Sequence, residues 1–327
     1  MPEAGRPDRG FAVQNEEQYR PAPAIGDQHV RVSGTAGAAL LACHASRPLD
    51  APRGGGERLV VVVHGALRDS DRYLALARGA ARRSGSRALI VAPQFLADVD
   101  ARAGAGLPDG ALHWDVEGWK GGYPALGPAA LSSFSALDSL LDELAGPEES
   151  PPGAGPAVVI IGNSAGGQFV NRYAAVGRGP DALAERGIRV RFIIANPSTY
   201  LYFGRERPVA VAGGAPVNGW RYGFDDAPEY VGTGPQESLA RYLARDVTIV
   251  LGEQDTGSAA LLLEVSPPAM AQGANRLERG IHYDRHVRGL ARAARLAMGH
   301  RLIKLAGVGH AAGDVLAAAQ TRDIMFG

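Results

Sequence analysis

The stretch AVVIIGNSAGGQFVNRYAAV, residues 157–176, decides how the chain is read. Five consecutive apolar residues, Ala157 to Ile161, suit a strand covered on both faces, as in a parallel sheet. Gly162-Asn163-Ser164-Ala165-Gly166 follows at once, and an amphipathic helix then runs to about Val176. A G-x-S-x-G match carries little weight alone in a chain with 44 glycines. Its setting carries the reading. A serine on a tight strand-to-helix turn is held in a strained backbone conformation, and the flanking glycines remove side chains that would collide there. The hydroxyl is then lifted to a helix N-terminus, where free amides and the dipole favour developing negative charge. The competing reading is an ordinary glycine-rich loop. A phosphate-binding loop fits poorly, because neither G-x-G-x-x-G nor G-x-x-x-x-G-K-[ST] is present.

The same alternation extends in both directions. Arg58–His64, Ala88–Ala92, Val190–Ala195, Val247–Leu251 and His300–Leu305 read as further buried strands. Between them lie a helix after Asp69 or Ser70, an amphipathic helix over 129–145, a long helical stretch broken by Pro267 and Pro268, and a closing helix from Asp314. His29 to Ala45 suggests a hairpin or two edge strands. Strands alternating with helices predict an α/β fold with a mostly parallel central sheet and helices on both faces. Residues 1–27, polar and with four prolines, read as an irregular, solvated N-terminal arm ahead of one domain over 28–327. Within that domain the segments 96–127 and 201–235 read as loop-rich insertions, and GPEESPPGAG (146–155) as a surface loop.

A serine hydroxyl is a poor nucleophile until a base takes its proton. Of eight histidines, His310 alone follows the last strand on a glycine-flanked loop ahead of the final helix. His29 and His300 start strands, His44 lies in the β-rich beginning, and His113, His282 and His286 have no matching position. The base needs an acceptor that fixes its tautomer. Asp255, after the strand VTIVL, suits that role, with Glu253 as main rival and Asp225, Asp226 and Asp314 as weaker ones. The oxyanion donors expected are the backbone N–H groups of Ala165, just after the serine, and Ala66, in the His64-Gly65-Ala66 loop. The His64 side chain is expected to order that loop.

These four elements, in the order HG loop, elbow, Asp255, His310, resemble the α/β-hydrolase superfamily over about residues 58–320. HGALRDSDRY, SSFSALDSLLDEL, GNSAGGQFVNRYA, ANPSTYLYF and QGANRLERG are similar to hydrolases related to polyhydroxybutyrate depolymerases and feruloyl esterases. The resemblance implies ester hydrolysis through an acyl-enzyme with no metal and no organic cofactor. Amide, thioester or carbon–carbon bond hydrolysis by the same triad, and a non-catalytic binding protein on the same fold, stay open.

Composition bounds the rest. Lys+Arg and Asp+Glu both number 34, so no net charge draws the chain to nucleic acid or to an acidic membrane. No run approaches a membrane span of about 18 apolar residues. The single cysteine, Cys43, reads as a buried core thiol and excludes an intramolecular disulfide. With no signal-peptide pattern at the N-terminus, a cytoplasmic location and a small-molecule ester are expected; the oligomeric state stays open. Aromatic residues make up 6% of the chain yet gather in the two insertions. Trp114, Trp119, Tyr200 and Asn196 are the candidate substrate contacts; Arg276 and Arg279 are expected in surface ion pairs, with an acidic substrate group as their alternative partner.

Overall fold

The computed structural model describes residues 16–51, 57–104, 107–145, 157–210 and 214–327. The loop expected at 146–155 and the first half of the arm lie outside these residues. The chain opens with β1 (Gln28–Gly34) and β2 (Gly37–Ala45), an antiparallel pair. Then come β3 (Leu59–Val63), α1 (Ser70–Arg83), β4 (Leu89–Pro93), the short β5 (Leu96–Ala97), α2 (Asp98–Ala103), β6 (His113–Trp114) and α3 (Ser133–Leu144). The elbow strand β7 (Val158–Asn163) leads into α4 (Ala165–Val176) and α5 (Gly179–Glu185). β8 (Val190–Ala195), α6 (Pro235–Ala244), β9 (Asp246–Gly252), α7 (Pro267–Met270), α8 (Arg276–Ala294), β10 (Arg301–Leu305), α9 (Ala312–Ala317) and α10 (Ala319–Phe326) complete it.

Eight strands form one sheet in the order β1-β2-β4-β3-β7-β8-β9-β10. The six from β4 to β10 are parallel, and β2 joins β4 antiparallel. The expected α/β sheet is therefore present, with the hairpin as its antiparallel edge. Successive strand residues point to opposite faces. Val61, Val63 and Ile160 pack with Phe134, Phe169 and Tyr283 on one face. Val60, Val62, Val159 and Ile161 pack with Tyr73, Ala77, Val315 and Met325 on the other. Both faces are covered, which is why the strand sequences are apolar throughout rather than alternating. Cys43 lies fully buried on β2, as expected of a core thiol.

The topology positions the loops. From β3 the chain steps outward to β4, then returns across β3 to β7 and continues the other way. Ligands of open α/β sheets bind beyond the carboxyl ends of the strands at such a reversal. Register adds a second constraint. Val63 pairs with Gly162, so Ala66 and Ala165 each lie three residues past one paired level of adjacent strands. Leu305 pairs with Gly252, so the segments holding His310 and Asp255 also leave the sheet side by side.

The N-terminal arm departs from its expected solvated state. Residues 16–27 are not wholly solvated. A 3-10 turn spans Glu16–Tyr19 with Gln18 buried, and Gln94 grips the segment that follows. Its side chain donates to Ala24 O and accepts from Gly26 N, at 2.7 and 2.8 Å.

Candidate active site

The elbow is built from close backbone approaches. Ser164 has φ 61° and ψ −120°, a conformation costly for a residue with a Cβ. It persists because β7 and α4 are locked around it: Ser164 N–H donates to Ala195 O of β8, and Ser164 O starts the helix by accepting from Gln168 N–H, both at 3.0 Å. A Cβ on Gly162 would fall 2.2 Å from Gly166 O, and one on Gly166 would fall 2.3 Å from Val63 O. Glycine is therefore required twice by packing, not by flexibility. Ser164 keeps 8% of its surface exposed, at the mouth of the turn.

His310 stands on the loop after β10, and its Nδ1 lies 2.7 Å from Asp255 Oδ2. Asp255 is buried, and its other oxygen, Oδ1, lies 3.6 Å from Nη1 of the buried Arg276. With Nδ1 engaged, Nε2 is the ring nitrogen left for another partner. The ring makes no direct hydrogen bond to Ser164 Oγ in this structure, and such contacts are often long before substrate binds. The backbone of His310 is tied to the elbow instead: Asn163 Nδ2 donates to His310 O at 3.2 Å. The rival carboxylates are elsewhere. Glu253 meets Lys304 at the surface, Asp225 pairs with Arg205 and Asn218, and Asp314 lies in the first turn of α9.

Two amides converge on the same end of the sheet. Ala165 N–H is the first of α4, and Ala66 N–H lies beyond β3; neither donates to a protein acceptor among the described residues. His64 orders the loop that carries Ala66. Its Nδ1–H donates to Gly65 O at 2.8 Å and its Nε2 accepts from Phe95 N–H at 3.0 Å. That pairing needs the neutral ring, and burial pushes its pKa down to about 4. Gly65 fits beneath Tyr73, whose hydroxyl would lie 2.9 Å from any Cβ there.

The four candidate substrate contacts are all buried in the structure. Trp114, Trp119, Tyr200 and Asn196 have no exposed surface. Trp119 stacks on Phe95, Tyr200 stacks on Tyr283, and Trp114 Nε1 donates to Leu131 O. Long insertions must fix themselves to the domain, and these large rings supply the apolar area that does so. Asn196 serves as a strut between strands. Its Oδ1 accepts from Gly252 N–H at 2.8 Å, and its Nδ2 reaches Asn163 Oδ1 at 3.4 Å. Arg276 and Arg279 are likewise buried rather than at the surface. Arg279 donates to Gly273 O and Ser198 O, binding α8 to the loop after β8. Sequence reasoning missed Asn163 and Arg276. Asn163 stands inside the motif itself, but only its contact with His310 gives that position a meaning.

No group of three or more His, Cys, Asp and Glu side chains is arranged to hold a metal ion among the described residues. None of their helices is long and apolar enough to cross a membrane.

This fold, with its strand-to-helix elbow and reversal of strand order, is that of an α/β-hydrolase, and the chain is an enzyme of that class. No family model and no curated protein matches the chain. Among solved structures it resembles the LpqC poly(3-hydroxybutyrate) depolymerase from Bordetella parapertussis, with 25% identity, a TM-score of 0.60, and cover of 85% of this chain and 81% of that one. It also resembles poly(aspartic acid) hydrolase-1 from Sphingomonas sp. KT-1 in fold, at 22% identity and a TM-score of 0.62, covering 94% and 99% of the two chains.

Proposed function

We propose that the enzyme cleaves carboxylic esters through an acyl-enzyme, with Ser164 as nucleophile, His310 as base and Asp255 as the acid that orients it. The carrying observation is the pairing of a strained Ser164 elbow with a His310 whose Nδ1 already faces a buried Asp255 carboxylate. His310 Nε2 takes the hydroxyl proton as Ser164 Oγ attacks the carbonyl carbon. The oxyanion develops toward the Ala66 and Ala165 amides. His310 then protonates the departing alcohol, and water repeats the sequence to release the acid. Asp255 holds the ring in place and stabilises the imidazolium as it forms. The ester reading is favoured over an amide or a carbon–carbon bond by the resemblance to a poly(3-hydroxybutyrate) depolymerase.

The test is labelling with a fluorophosphonate together with turnover of an ester and amide panel, including short p-nitrophenyl esters and hydroxybutyrate oligomers. Ser164→Ala is expected to abolish labelling and to lower turnover by roughly 10³- to 10⁶-fold with the fold intact. A variant keeping more than a tenth of the activity would exclude Ser164 as nucleophile. Labelling with turnover of amides alone would move the reading to amide hydrolysis. A protein that neither labels nor turns over any substrate would be a binding protein.

A further inference from the structure

The loop that carries Ala66 is held by an arginine that reaches back to the N-terminal arm. Arg68 is fully buried and adopts φ 59°, in the left-handed region. A guanidinium has five N–H donors in a rigid fork. Here Nε donates to Asp100 Oδ2 at 2.6 Å, and Nη2 to Asp100 Oδ1 at 3.2 Å and Arg20 O at 2.6 Å. Nη1 donates to Gln18 O at 2.8 Å and to Ala66 O at 3.1 Å. All five are used. Asp100, also buried, is equally saturated: Oδ1 accepts from Ala22 N–H and Oδ2 from Ala97 N–H, at 2.6 and 2.7 Å.

A buried ion pair returns little net stability, because desolvation consumes much of the attraction. This pair therefore does more for geometry than for stability. Arg68 grips both peptide units that flank Ala66. Its backbone N–H donates to Gly65 O at 3.2 Å, beside the bond from His64 Nδ1. Its guanidinium holds Ala66 O. A trans peptide is planar, with C=O and N–H pointing opposite ways. Fixing Gly65 O toward His64 and Arg68 therefore aims Ala66 N–H in the opposite direction.

We propose that Arg68 is the positioning residue for the Ala66 amide, with residues 18–24 of the N-terminal arm as a strap that completes its coordination. This rests on the reading of Ala66 as an oxyanion donor. Loss of an oxyanion donor costs about 10²- to 10³-fold in kcat, and a donor left in place but misaimed costs less.

The test uses the full chain, with rates expressed per serine titrated by fluorophosphonate. Arg68→Lys keeps the charge and loses the fork. It is expected to lower kcat by about 10- to 100-fold, with KM within about threefold and the acid limb of the pH–rate profile unmoved, because His310 is untouched. Arg245→Lys is the control. Arg245 is a part-buried arginine, its side chain 8% exposed, that binds Tyr173 O, Ala174 O and Gly177 O at the far end of α4. It is expected to lower the denaturation midpoint and leave kcat within about twofold. Ala22→Pro withdraws one strap N–H from Asp100 without touching the core, and is expected to lower kcat at least threefold, about 0.6 kcal/mol. It decides the matter should Arg68→Lys fail to fold. Folded, titratable variants with kcat within threefold of the parent for Arg68→Lys, or unchanged for Ala22→Pro, overturn the proposal. A parent enzyme that does not label overturns the reading of the site instead.

Discussion

Asp255 offers one carboxylate oxygen to His310 and turns the other toward Arg276. The two contacts hold both oxygens of the carboxylate in fixed directions. Burial and Asp255 pull Arg276 in opposite directions, and burial wins, lowering its pKa from the ordinary arginine value. Asp255→Asn preserves shape but cannot enforce the tautomer, and on the proposed mechanism kcat is expected to fall by about 10⁴-fold. Glu253→Gln is expected to stay within about twofold, since Glu253 meets Lys304 at the surface. Steady-state rates of the two variants check both expectations, and equal losses would reopen the choice of acid. Two residues apart in sequence, these carboxylates are alike on paper. Their burial and direction separate them.

At the scale of elements, α4 carries the constraint. Its first turn lies against β3 and β8 so closely that no side chain fits at Gly162, Gly166 or Gly167; a Cβ on Gly167 would fall 2.5 Å from Ala195 O. Gly166→Ala forces α4 away from β3, and is expected to lower stability by at least about 3 kcal/mol or prevent folding, read from the urea midpoint. A variant as stable as the parent would show that α4 can shift. Element order was legible in the sequence because buried parallel strands announce themselves as apolar runs. β8 spans Val190–Ala195 as expected, and α4 ends at Val176. The insertions were not legible. Their aromatic residues suggested a substrate surface, yet Trp114, Trp119 and Tyr202 face inward, and composition does not distinguish the two uses. Arg276 and Arg279 misled for a related reason: arginine is usually exposed, and only specific partners allow it inside.

For the molecule as a whole, acid sensitivity follows from histidines buried in neutral form. Burial lowers His64 and His286 to about 4, and lowers His300 as well. In the unfolded chain such rings protonate below about 6.5. The folded state binds fewer protons between these values, so stability is full above pH 6.5 and is lost as pH falls toward 4. At pH 5, His64 alone accounts for about 2 kcal/mol relative to pH 7. Denaturant midpoints at pH 7 and pH 5 check this, and an unchanged midpoint would contradict it. The window lies above that of Glu117: burial opposes its ionisation, but Lys120 and Arg221 outweigh burial and hold it near 2. The amino-acid sequence by itself determined the alternation of strands and helices and the glycine-framed Ser164, because periodicity and local sterics act between near neighbours. Only the tertiary structure decided which carboxylate meets His310, which arginines turn inward, and that the N-terminal arm grips the loop of Ala66. Those outcomes depend on strand register and on desolvation, which join residues far apart in the chain, 78 positions between Ala22 and Asp100 and 81 between Ser198 and Arg279.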